Sequence, residues 1–192
     1  MKAGHEGPGA EGSFGLAIRL PFETTANSVI AGDSKLMHFR HFFTRKLMFL
    51  SQAQAITAFP GGFGTQDELL EALTLIQTGK SAIIPVVLIE GADSDYWQQW
   101  EAYVREEFLK GGFISPEDTS LYHLARDPQD AADHVTRFYA NYHSSRYVGS
   151  DLVIRIRRPL TDGQLVQLNM DFARLVQTGH IRQRPAFDVE GE

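Results

Sequence analysis

Ala53-Gln54-Ala55-Ile56-Thr57-Ala58-Phe59-Pro60-Gly61-Gly62-Phe63-Gly64-Thr65-Gln66-Asp67-Glu68 joins a short apolar run to a helix start through three glycines. Ala53 to Phe59 has strand character, while Leu69, Leu70, Leu73 and Ile76 recur at helical spacing downstream, so the segment predicts strand, glycine loop and a helix over 65–77. Glycine tolerates positive φ and close approach of a ligand, and the first N–H groups of a helix lack intrahelical acceptors. Such a turn is an anion site, and phosphate is its natural guest.

Glu68 has two readings from spacing. Thr65-x-x-Glu68 fits a capping box, in which each side chain satisfies the other residue's backbone N–H. The same carboxylate also lies within reach of a ligand held on the loop. Asp67 and Glu71 read as a solvated acidic face favoured by the positive end of the helix dipole. Upstream, residues 36–52 predict one buried helix, apolar nearly all round, with Arg45 on the face that carries His38, His41, Met48 and Gln52. A guanidinium in such a helix needs a partner, either Glu68 or a ligand phosphate, and its planar fork suits both. Lys46 is a second cation for the same place or a snorkelling surface lysine. His38 and His41 share that face, but no third ligand accompanies them and no zinc motif is present.

Around this centre the pattern alternates. Leu16 to Leu20 predicts a strand, Pro85 to Ile89 an inner parallel strand, 94–109 a helix with Trp97, Trp100, Val104 and Phe108 inward, and 120–124 a short strand. Asp127-Pro128 opens a helix reaching about Tyr142, with Asp127 as cap. Leu152 to Ile156 and Leu165 to Val176 add a final strand and helix, and Arg155 and Arg157 share one face of that strand. The whole predicts a Rossmann-like, doubly wound α/β fold, a mainly parallel sheet flanked by helices. It is one domain over 1–192, in which 145–192 form a C-terminal strand-helix extension.

Composition narrows the function. A 192-residue chain with 43% hydrophobic content can bury one sizeable core. A net charge of -6 without a long basic run argues against nucleic acid as partner. Cysteine is absent, which excludes disulfides and thiol chemistry and fits the cytoplasm. No apolar run approaches the roughly 18 residues of a membrane span, and no G-x-S-x-G elbow signals a serine nucleophile.

Pro60, Gly61, Gly62, Gly64, Thr65 and Glu68 also form P-G-G-x-G-T-x-x-E, and Arg45, Lys46 and Met48 match a second signature at the right interval. In these motifs the chain resembles the LOG family of cytokinin riboside 5'-monophosphate phosphoribohydrolases, often mislabelled lysine decarboxylases. Leu20-Pro21-Phe22-Glu23, residues 75–80 and residues 142–147 extend the similarity over most of the chain. The resemblance implies hydrolysis of the N-glycosidic bond of a purine nucleoside 5'-monophosphate, AMP or an N6-modified analogue. Glu68 and Arg45 would be catalytic, while Lys46, Gly61, Gly62, Gly64 and Thr65 hold the nucleotide phosphate. It implies no cofactor and a homodimer with the Arg-Lys segment near the interface, and the lack of a zinc motif predicts no metal. Met1-Lys2-Ala3 with Gly7 and Gly15 reads as the remnant of an early helix, so the fold is expected to be truncated at its N-terminus. A nucleotide-binding protein without turnover is the alternative.

Overall fold

The computed structural model describes residues 13–20 and 30–185, and the chain divides into two compact units, residues 1–135 and 136–192. The glycine-rich stretch up to Gly12 and Pro21-Phe22-Glu23 lie outside the described residues.

Among the described residues of the first unit every strand pairing is parallel. β1 (Gly15–Ile18) runs beside β2 (Leu36–Phe39), with Gly15 opposite Leu36. Gly15 therefore opens a strand rather than belonging to a helix. A Cβ there would lie 2.8 Å from the Leu36 side chain, so only glycine fits this close approach without a shift. A second sheet has the order β3-β4-β5, with β3 (Ile56–Ala58), β4 (Val86–Ile89) and β5 (His123–Ala125).

β4 shows why the chain folds this way. Its four residues, Val86 to Ile89, are all buried, as befits a central parallel strand covered on both faces. Successive side chains point to opposite faces. Val86 and Leu88 pack with Leu69, Ala72 and Ile76 of α2 (Phe63–Gln77) and with Trp97 of α3 (Tyr96–Tyr103). Val87 and Ile89 pack with Ala131 of α4 (Pro128–Phe138). Helices thus cover both faces, and the fold is doubly wound α/β, as the alternation predicts. The Trp97 indole also donates to the Ile89 carbonyl at 3.1 Å.

Several boundaries differ from expectation. Residues 36–52 are not one buried helix. Leu36–Phe39 form β2, and α1 spans only Phe42–Gln52, after an extended cap at His41. A short apolar run is ambiguous between strand and helix, and here pairing with β1 decides it. None of the α1 residues is buried, and Phe42, Phe43 and Leu47 are more than half exposed. The helix expected over 94–109 is α3 followed by a π-helical stretch, Val104–Leu109. A 3-10 turn, Pro116–Leu121, delays the next strand to β5. α4 begins at Pro128, and Asp127 caps it, accepting the Asp130 N–H at 2.8 Å. It ends at Phe138, four residues short of Tyr142.

The second unit contains an antiparallel hairpin of β6 (Tyr142–Val148) and β7 (Asp151–Ile156), turned at Gly149 with φ +62. α5 (Asp162–Asp171) comes next, opened by a capping box between Thr161 and Gln164. Arg155 is half-buried within β7, and Arg157, just past its end, still donates its N–H to the Asn141 carbonyl at 2.8 Å.

Candidate functional site

The glycine loop lies between β3 and α2. Helix α2 begins at Phe63 with Gly62 as cap, two residues earlier than the sequence predicts. None of Gly61, Gly62 and Gly64 takes a positive φ. Only Gly61 needs glycine for space: a Cβ there would sit 2.2 Å from the Thr65 hydroxyl, while Gly62 and Gly64 face open space. Gly62 accepts the N–H of Thr65 at 3.0 Å and of Gln66 at 3.2 Å. Among the described residues, the N–H groups of Gly62, Phe63 and Gly64 donate to no protein acceptor. They open the positive end of a 15-residue helix, where negative charge is favoured. Phe63 itself is 95% exposed beside it.

The capping-box reading of Thr65 and Glu68 fails, because Thr65 is inside the helix and not its cap. Glu68 instead accepts a charge-assisted hydrogen bond from the Arg45 guanidinium, both side chains about four-fifths buried. Glu68 falls four residues after Gly64 and so shares its face of α2, just over one turn, about 6 Å, along the axis. Burial pushes the Glu68 carboxyl above the usual glutamate range, against the opposing pull of Arg45 and Lys46. The second carboxylate oxygen of Glu68 has no protein partner among the described residues. Arg45 Nε is buried without an acceptor, a donor left open beside the ion pair.

Lys46 is committed elsewhere. Its ammonium lies 2.7 Å from Asp67 and 2.8 Å from Glu71, two carboxylates one turn apart on α2. Burial lowers its pKa, but hydrogen bonds to the two carboxylates outweigh that and hold it above the ordinary lysine value. Asp67 and Glu71 are therefore not simply a solvated face. Together, Arg45–Glu68 and Lys46–Asp67/Glu71 tie α1 to α2. The structure thus brings Arg45, Glu68, Gly61, Gly62, Gly64 and Thr65 to one end of α2, with Lys46 on the adjoining side of the helix. His38 lies in β2 and His41 precedes α1, where its ring stacks on Phe43 at 5.7 Å. Among the described residues no group of three histidines or acids could hold a metal ion.

Sequence reasoning missed three residues here. The Tyr96 hydroxyl donates to the Gly61 carbonyl at 2.5 Å and accepts from the Gln66 side chain at 2.7 Å. Glu90, at the carboxyl end of β4, accepts the Trp97 N–H at 2.8 Å and so caps α3. The available signal is topological. β3 and β4 are parallel neighbours, so the segment leaving β4 emerges beside the loop that leaves β3.

This is a doubly wound α/β protein with a glycine turn of open N–H groups and a partly buried arginine-carboxylate pair at the carboxyl end of its sheet. Residues 1–135 match the family model described as "Possible lysine decarboxylase", and the chain belongs to that family, the LOG family. The chain is also similar to a "Probable cytokinin riboside 5'-monophosphate phosphoribohydrolase" (LOGL3) of Oryza sativa subsp. japonica. The two are 30% identical over 100 residues, 52% of this chain and 44% of the rice protein, so the chain spans under half the length of that relative. No helix among the described residues is long and apolar enough to cross a membrane.

Proposed function

We propose that this protein hydrolyses the N-glycosidic bond of a purine nucleoside 5'-monophosphate, AMP or a cytokinin riboside monophosphate, to free base and ribose 5-phosphate. One observation carries the reading: the Arg45–Glu68 pair stands one helical turn from the unsatisfied N–H groups of Gly62, Phe63 and Gly64. The 5'-phosphate would rest on those groups and on the Thr65 hydroxyl, which has no protein partner among the described residues. The ribose then extends toward Glu68.

As the bond between ribose C1' and the base nitrogen breaks, its electron pair leaves with the base, which takes a proton from solvent, and positive charge develops on the ribosyl centre. The Glu68 carboxylate stabilises that charge, accepts a proton from the water whose oxygen bonds to C1', and returns that proton to solvent. Arg45 holds Glu68 through one oxygen and leaves the other available. Its open Nε is a donor for the substrate. Lys46 acts at one remove, docking α1 on α2 through Asp67 and Glu71 and adding positive field at Glu68.

We further propose a homodimer that uses the exposed apolar residues of α1, notably Phe42, Phe43 and Leu47. Light scattering after size exclusion should give twice the chain mass; a stable monomer at micromolar concentration would refute it. For the activity, the chain is incubated with AMP, GMP, CMP and isopentenyladenosine monophosphate, and free base is detected by chromatography. Base release by the natural chain and its loss in Glu68→Gln is the expected result. Binding without release would favour a nucleotide-binding protein without turnover.

A further inference from the structure

We propose that Tyr96 is a positioning residue for the phosphate end of this site, an inference that rests on the reading of the glycine loop as a phosphate cradle. The Gly61 carbonyl and the Gly62 N–H belong to one peptide plane, so whatever fixes the carbonyl also aims the N–H. Two contacts constrain that plane. The Tyr96 hydroxyl holds the carbonyl at 2.5 Å, and the Thr65 side chain occupies the space where a Gly61 Cβ would be.

The Gln66 amide donates to the same hydroxyl at 2.7 Å, so the tyrosine proton is directed at Gly61 and not at solvent. The three groups form a chain: Gln66 side chain, Tyr96 hydroxyl, Gly61 carbonyl. A peptide whose carbonyl accepts a strong hydrogen bond becomes a better donor at its N–H, because hydrogen bonds in sequence polarise one another. Tyr96 thus both orients the Gly62 N–H and strengthens it toward an anion. Its own position is fixed. The ring packs edge-on against buried Trp97 with centroids 4.8 Å apart, and the residue opens α3 shortly after β4.

The test compares the natural chain with Tyr96→Phe, which keeps the ring and removes only the hydroxyl. Affinity for ribose 5-phosphate and for inorganic phosphate is measured by calorimetry, and kinetics are run on a nucleoside 5'-monophosphate and on the matching phosphate-free nucleoside. Tyr96→Phe should weaken ribose 5-phosphate binding and raise KM for the nucleotide by about tenfold, the scale of one or two lost hydrogen bonds. It should leave kcat and the turnover of the phosphate-free nucleoside within about twofold. Gln66→Met should shift the same quantities in the same direction by less, and it replaces Tyr96→Phe as the test if that variant does not fold. Equal losses on nucleotide and nucleoside would make Tyr96 merely structural, and unchanged phosphate affinity would overturn the proposal while the activity stands. A natural chain that binds ribose 5-phosphate but releases no base would refute hydrolysis and leave Tyr96 to be judged by calorimetry. A natural chain that binds neither phosphate compound overturns both readings.

Discussion

The two units of this chain are stabilised by different means. Every buried hydrophobic residue among those described falls between Ile30 and Ala131, so the first unit is built around a dry core. In the second unit no described hydrophobic residue is fully buried, and side chain–backbone clamps recur beside a partly buried ring cluster of Phe138, Tyr139 and Tyr142. The Asn169 side chain donates to the Ile181 carbonyl and accepts the Ile181 N–H, each at 2.8 Å. Gln183 clamps Leu160 in the same reciprocal way, and Asn141 accepts the Arg158 N–H at 2.8 Å. Val166, Met170 and Leu175 remain largely exposed. The family match ends at residue 135, where the first unit ends. The difference teaches that the loop is positioned by the core of the first unit, whose central strand packs against α2 and leads into α3.

The largest effect should come from the core. Trp97→Ala removes a fully buried indole and its hydrogen bond to Ile89, and should cost about 3–5 kcal/mol in denaturant unfolding. A loss below about 1 kcal/mol would break the contrast between the units. Next, Glu68→Gln should lower kcat about 100- to 1000-fold, or roughly 2.7–4 kcal/mol, with the cooperative unfolding transition kept. The pH profile sharpens this. A Glu68 pKa held up by burial means the required carboxylate is lost at a higher pH than for an exposed glutamate, so kcat/KM should fall on the acid side with a raised midpoint. Arg45 pulls that pKa down, so Arg45→Met should move the midpoint higher still. A midpoint that moves lower would mean the charge on Arg45 does not act on Glu68.

Asn169→Ala should cost only about 1–2 kcal/mol, felt locally as faster hydrogen exchange at the Ile181 amide, with base release unchanged. Smallest of all, Met170→Ser at a 70% exposed position should change stability by less than about 0.5 kcal/mol. A larger loss would show that the second unit also buries apolar surface.

Legibility in the sequence divides along similar physical lines. Pro60 to Glu68 could be read because glycine, a helix start and a carboxylate are local chemistry, and Arg45 because a cation among apolar residues demands a partner. The four apolar residues of β4 revealed a central strand for the same local reason. Leu36–Phe39 were misread because their strand exists only through pairing with β1. β6 escaped notice because Tyr142–Val148 mixes serine, histidine and arginine and buries no residue fully, so no period of two marks it. The partners of Lys46 and the bridge from Tyr96 to Gly61 join separate elements and depend on how helices and strands are brought together.

Phe63 offers an experimental handle of another kind. It projects into solvent beside three open N–H groups, and the chain contains no cysteine. Phe63→Cys would therefore introduce a unique thiol at the rim of the cradle. An environment-sensitive fluorophore attached there would give an optical titration of each ligand, independent of turnover, and would let the slowed Glu68→Gln protein be followed while substrate is bound.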